Sequence, residues 1–185
     1  MPYRSDPQAA TGAVPDRVPP DPAVVERVRR RMLHPLKLRA FMLKRLPLAL
    51  VAGLRIRTLT EQRCEVTVPY GWRTTNPFRS TYFAAQAMAA ELSTGALGLM
   101  AAESAPVPVA SLIVGLTGEF EKKATGETTF ACEAGEALFD AVARTVADGE
   151  PAVAAVETVG RMADGTVVSR FTFTWSFKRR EPRRT

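Results

Sequence analysis

Polar and apolar positions alternate most clearly near the end of the chain. Val167, Ser169, Phe171, Phe173, Trp175 and Phe177 fall on one side, and Arg170, Thr172, Thr174, Ser176 and Lys178 on the other. A period of two is the pleat of a half-buried strand. Further runs predict strands over 50–59, 63–68, 109–121, 128–133 and 152–161. In the second of these Cys64, Val66 and Val68 point one way, Glu65 and Thr67 the other. The long run at 109–121 carries Leu112, Ile113, Val114 and Phe120. Asp164-Gly165 is a hairpin turn signal before the last strand. The short Thr60-Glu61-Gln62 link suggests another hairpin.

Helical spacing marks the other segments. Asp21-Pro22 is a cap followed by a proline at the first helical position. Val24, Val25, Val28 and Met32 then form one apolar stripe, with Arg27, Arg29, Arg30 and Arg31 at the remaining positions. Pro35 breaks or kinks this helix. Leu36, Phe41, Met42 and Leu46 continue it until Pro47 stops it. Residues 136–147 read as a short helix with Leu138, Ala141, Val142 and Thr145 on one face.

The longest apolar pattern is central. From about residue 80 to 102 nearly every side chain is small or apolar, which predicts one long buried helix. Ser80 or Thr81 is positioned to cap its start. Glu91 is the one acid or base between Arg79 and Glu103, apart from the Tyr82 phenol. It shares a helical face with Ala84, Ala87, Met88, Thr94, Gly95 and Gly98. A carboxylate there is costly unless something pairs with it or uses it. Two readings follow: a structural acid bonded to an amide or an arginine, or a functional one beside room for a ligand. The whole order is helix, two strands, long helix, two strands, short helix, two strands. It predicts an α+β fold with six mainly antiparallel strands curved around the central helix.

Composition narrows this picture. The chain has 185 residues and is 46% hydrophobic, enough for one domain plus tails. The expected parts are a flexible leader over 1–20, a basic amphipathic helical segment over 21–46, a domain over 47–178 and a basic tail over 179–185. Net charge is +6 overall. It divides into +6 for residues 1–46, −4 for 47–177 and +4 for 178–185. A mildly acidic body argues against nucleic acid as a partner. The basic segment reads as a packed helix with a solvated face, a membrane-surface helix, or a clamp for phosphates. The central helix is no expected membrane span: Glu91 at its middle costs about 2.5–3.5 kcal/mol on insertion scales. The first residues hold no apolar run of a secretory signal, so a cytoplasmic location is expected. Cys64 and Cys132 read as buried thiols, and one histidine with two cysteines does not build the usual zinc site.

The element order, with Asn76 and Glu91 at their spacing, resembles the hotdog fold of acyl-CoA thioesterases. It is most similar to the phenylacetate-pathway type and its uncharacterised hotdog relatives, over roughly residues 36–178. In that type an asparagine precedes the central helix and an acid lies within it; Asn76 and Glu91 match these positions. The family's His-Gly-Gly at the helix entrance is replaced by Arg79-Ser80-Thr81-Tyr82. The resemblance implies hydrolysis of an acyl-CoA or acyl-carrier-protein thioester, with coenzyme A as part of the substrate and no other cofactor. Glu91 would be general base, with nucleophile as the alternative role, and Asn76 would orient the water or the carbonyl. Thr94 would bond the carboxylate or the water, and the amides near Ser80, Thr81 and Tyr82 would hold the oxyanion. Arg73, Arg79, Lys122 and Lys123 are candidates for the coenzyme's phosphates. A homodimer or dimer of dimers is implied, with sites at the subunit boundary. Hotdog dehydratases pair a histidine with an acid; His34, the only histidine, is far from Glu91 in sequence. The other class of reading is a non-catalytic hotdog that binds acyl thioesters or fatty acids, or serves as a dimeric scaffold.

Overall fold

The computed structural model describes residues 19–180. The segment 1–18, most of the expected leader, and 181–185, the end of the expected tail, lie outside the described residues.

Three prolines divide the N-terminal part. Pro22, Pro35 and Pro47 each open a helix: α1 (Pro22–Leu33), α2 (Pro35–Arg45) and α3 (Pro47–Ala52). A proline at the first helical position loses no intrahelical bond, and its ring presets φ. The Asp21 carboxylate accepts from the Ala23 amide, 2.9 Å, as the cap at α1. Val25, Val28 and Met32 carry α1 into the common core. Arg31 crosses to Glu103 at 2.8 Å and tethers α1 to the far end of the central helix.

One predicted strand is corrected here. Residues 50–52 belong to α3, not to a strand. Ala49 and Ala52 pack inward at helical spacing, and Gly53 closes the turn at φ +77. Only β1 (Arg55–Leu59) of the expected 50–59 run is extended. The other elements fall close to their expected bounds: β2 (Cys64–Val68), α4 (Phe83–Glu103), β3 (Val109–Phe120), β4 (Thr128–Cys132), α5 (Gly135–Asp148), β5 (Ala152–Met162) and β6 (Val167–Arg179).

The strands form one antiparallel sheet in the order β1-β2-β4-β5-β6-β3. Register shifts at Ile56/Thr58, Ile113/Gly115 and Gly160/Arg161 mark bulges. A bulge bends its strand and raises the local twist, which helps the sheet curve around a helix. Phe171, Phe173, Trp175 and Phe177 of β6 are buried on the concave side with Leu92, Leu97 and Met100 of α4. Cys64 and Cys132 are buried register partners on β2 and β4, both free thiols, and burial pushes both thiols up. This is the hotdog fold: a curved sheet wrapped around one long helix.

Two expectations about the central helix change. Its cap is Tyr82, without a side-chain bond, because the Ser80 hydroxyl is tied to Asn76 in the preceding loop and the Thr81 hydroxyl to the Ala124 carbonyl beyond β3. Nor is the helix closed on all sides. Ala84, Ala87, Met88, Glu91, Gly95, Leu99 and Ala102 form a half-buried stripe. Beside that opening lies β3, an edge strand that pairs only to β6 among the described residues, with Leu112, Val114, Leu116 and Phe120 exposed.

The start of α5 gives a stability test. The Gly135 amide donates to the Gln62 carbonyl, 3.1 Å. A methyl on Gly135 would run into the Glu61 carbonyl and stand 2.8 Å from Gln62 Cα. Both obstacles are backbone, so they cannot turn away. Gly135→Ala is expected to cost on the order of 3 kcal/mol, a fall in Tm of about 6–12 °C by calorimetry. An unchanged Tm would show that the α5 start and the β1–β2 turn move apart freely.

Candidate active site

Glu91 is on the half-open stripe of α4. The space around it is made by a glycine and walled by an indole. A methyl placed on Gly95 would stand 2.8 Å from Glu91 Oε1 and 3.4 Å from Trp175 Cζ2. The carboxylate has no hydrogen-bond or ion-pair partner among the described residues. Burial alone raises its pKa above the ordinary carboxylate range. Neither the arginine nor the backbone amide of the structural reading is there. An unpaired carboxylate with a raised pKa is a better base near neutral pH.

Thr94 does not reach the carboxylate. Its hydroxyl donates to the Glu91 main-chain carbonyl, 3.0 Å, and accepts from Trp175 Nε1, 3.1 Å. It holds the indole that walls the acid.

The loop before the helix is self-bonded. Asn76 Oδ1 accepts from the Phe78 amide at 3.0 Å, the Ser80 amide at 3.3 Å and Ser80 Oγ at 3.2 Å. An asparagine commonly folds its own turn in this way. The Asn76 Nδ2 group has no acceptor among the described residues. Arg79 takes φ +58, a left-handed conformation rare outside glycine, and its carbonyl accepts from the Tyr70 hydroxyl. The Thr81 amide donates to the Ala124 carbonyl, 2.8 Å, and the Tyr82 amide to the Thr74 carbonyl, 2.6 Å.

The three amides expected to form an oxyanion hole, at Ser80, Thr81 and Tyr82, are therefore already engaged. The amides of Phe83 and Ala84, at the first two helical positions, have no acceptor among the described residues. A helix start leaves such donors free, with the dipole behind them.

A cleft of about 630 Å³ opens at this point, lined by Asn76, Ser80, Thr81, Tyr82, Phe83, Lys122 and Lys123, among others. The structure thus brings together Asn76, the helix start and two of the four basic candidates. Arg73 is elsewhere, its Nη2 3.4 Å from where a Gly53 Cβ would lie. Arg79 is exposed and does not line the cleft. His34 is exposed between α1 and α2. Sequence reasoning missed Gln86, which is buried and fixes the helix start. Its Nε2 donates to the Thr81 carbonyl, 3.1 Å, and its Oε1 accepts from Ser169 Oγ, 2.8 Å. The signal was present: Gln86 is the one carboxamide in an otherwise small and apolar run.

Glu91 itself does not line the cleft. Eight residues separate it from Phe83, about 12 Å along the helix axis. Its carboxylate leans toward Gly95, away from the helix start. Within one chain the base and the free amides are too far apart to act on one carbonyl.

Comparisons with known proteins agree with this architecture. The model of a family described as a domain of unknown function, DUF4442, matches residues 36–177. No curated protein matches the chain significantly. Among solved structures, a protein of unknown function from Pseudomonas aeruginosa, called a probable thioesterase, is 19% identical with a TM-score of 0.66, covering 81% of this chain and 99% of its own. A protein of unknown function from Chlorobaculum tepidum is 13% identical, TM-score 0.66, covering 80% and 99%. A thioesterase from Haemophilus influenzae is 12% identical, TM-score 0.59, covering 81% and 94%. At these identities the likeness is one of fold.

Proposed function

The chain belongs to the DUF4442 family, and from that premise we propose that it hydrolyses acyl thioesters, with Glu91 as general base. The observation that carries this reading is the unpaired, partly desolvated Glu91 carboxylate in the space left by Gly95. Glu91 takes a proton from water as the water oxygen bonds to the thioester carbonyl carbon. The oxyanion so formed is held by the Phe83 and Ala84 amides, with Asn76 Nδ2 as a further donor. The C–S bond then breaks, and the leaving thiolate takes the proton back from Glu91. Lys122 and Lys123, at the mouth of the cleft, meet the phosphates of a coenzyme A or carrier-protein arm.

The 12 Å separation is met by a second copy. In a homodimer with antiparallel central helices, the helix start of one subunit faces Glu91 of its partner. Two observations support this contact: the half-buried stripe of α4 and the exposed apolar edge strand β3 next to it. Unpaired strand edges of that length are normally covered.

A second reading, a hotdog that binds acyl thioesters without turnover, is favoured by the helix entrance. Arg79-Ser80-Thr81-Tyr82 stands there where the resembled family has His-Gly-Gly, and the exposed rings of Phe78, Tyr82 and Phe83 line the cleft. Thiol release from short, aromatic and long acyl-CoAs decides between the two. Turnover of at least one class well above background is expected. Ligand-induced rise in Tm without turnover would establish the binding module instead.

A further inference from the structure

We propose that the outward face of α2 and α3 docks on an anionic lipid surface. α2 carries two apolar faces. Leu38 and Met42 point into the core, while Leu36, Ala40 and Leu43 recur at helical spacing on the opposite side. α3 adds Leu48 and Val51 in the same manner. Leu36, Leu43 and Leu48 are each at least 68% exposed. Single exposed leucines are ordinary; Leu36 and Leu43 on one side of α2, followed by Leu48 and Val51 on the next short helix, are a concentration of exposed apolar side chains.

Charge selects the occupant. The sequence has no acid between Glu26 and Glu61, and ten bases. Arg29 and Arg30 of α1 are paired to Glu26, and Arg31 to Glu103. The bases of α2, Lys37, Arg39, Lys44 and Arg45, form no ion pair among the described residues. At 100° per residue Lys37 and Lys44 flank the leucine stripe on one side and Arg39 on the other. Aliphatic side chains between free cations match the boundary between acyl chains and anionic headgroups. Nucleic acid has no place for an exposed leucine stripe. No helix of the described residues is long and apolar enough to cross a membrane, so the contact is peripheral.

Flotation of the full chain with phosphatidylcholine vesicles, with and without 30% phosphatidylglycerol, tests this. Binding to the anionic vesicles, weakened by salt and lost on phosphatidylcholine alone, is expected. Leu36→Ser/Leu43→Ser keeps every base of the chain, including those of the tail, and should bind at least about tenfold more weakly. Lys37→Gln and Lys44→Gln should each weaken binding about fivefold. All these positions are exposed, so Tm should not change. Failure to bind would overturn the proposal, as would full binding by the leucine variant. A leucine variant that instead sediments as a smaller assembly than the wild type would assign the face to a contact between copies. None of these readouts depends on turnover.

Discussion

Glu91→Gln is expected to cut thiol release by about 10²–10⁴-fold, with KM for the best acyl-CoA little changed. Glutamine keeps the volume beside Gly95 and Trp175 but cannot accept the proton of the attacking water. The same variant reports on the cost of the native acid. In the folded protein Glu91 titrates above its ordinary value because it is desolvated. Between the unfolded and folded values the native state therefore binds more protons than the unfolded one. The contribution of this group to stability is full below the unfolded value and falls as pH rises through the folded one. Above the folded value the desolvated, ionised carboxylate destabilises the fold, so Glu91→Gln should melt higher than the wild type there. That gap should close as the pH approaches about 4, near the unfolded carboxylate value. For the wild type, kcat/KM should rise with pH through a value above the ordinary carboxylate range, and this limb should vanish in the variant. A variant with undiminished turnover would remove Glu91 from the chemistry. One that loses turnover but melts lower than the wild type would mean that the acid is bonded after all and structural.

The contrast between fold and site is instructive. The strands β2, β4, β5 and β6 were legible because burial on one face imposes a period of two that a sequence displays directly, whereas β3, with no buried residue, shows only as an apolar run. The central helix was legible because no other arrangement hides so many consecutive apolar residues. The run at 50–52 was misread because Leu50, Val51 and Ala52 suit either a strand or a helix; Pro47 and Gly53, one at each end, held the answer. The glutamate was found because it is alone. The state of the backbone around the helix start was not legible. Which amides are free depends on Thr74 and Ala124, brought to Tyr82 and Thr81 by folding rather than by spacing. Asn76 shows the same limit: its residue type suits either a site or a turn, and only its three accepted bonds show that its oxygen serves the loop. The open stripe of α4 was likewise not legible, since composition alone does not distinguish a fully buried apolar helix from one with a half-buried face.

Phe83→Pro should lower turnover by about 10²–10³-fold, because it deletes one of the two free donors at the helix start. The fold should tolerate it. Phe83 is the first residue of α4, where proline is accommodated, and its N–H has no acceptor among the described residues. Tyr82 already lies at φ −59, ψ 136, the extended conformation that a residue before proline adopts. Phe83→Ala removes the same ring but keeps the N–H, so it separates donor loss from ring loss; it should retain most activity. Paired with Glu91→Gln, the proline variant also locates the site. If base and donors came from one chain, every site in a mixture would carry a lesion and no activity would return. With the site shared across a two-fold axis, each mixed dimer contains one site built from an intact Glu91 and an intact helix start. Random exchange makes half of the dimers mixed, so about a quarter of wild-type activity should return. Exchange demonstrated by a mass-labelled subunit, with no recovery, would exclude the shared site. It would mean that Glu91 works with donors of its own chain other than the Phe83 and Ala84 amides, which the helix holds about 12 Å away.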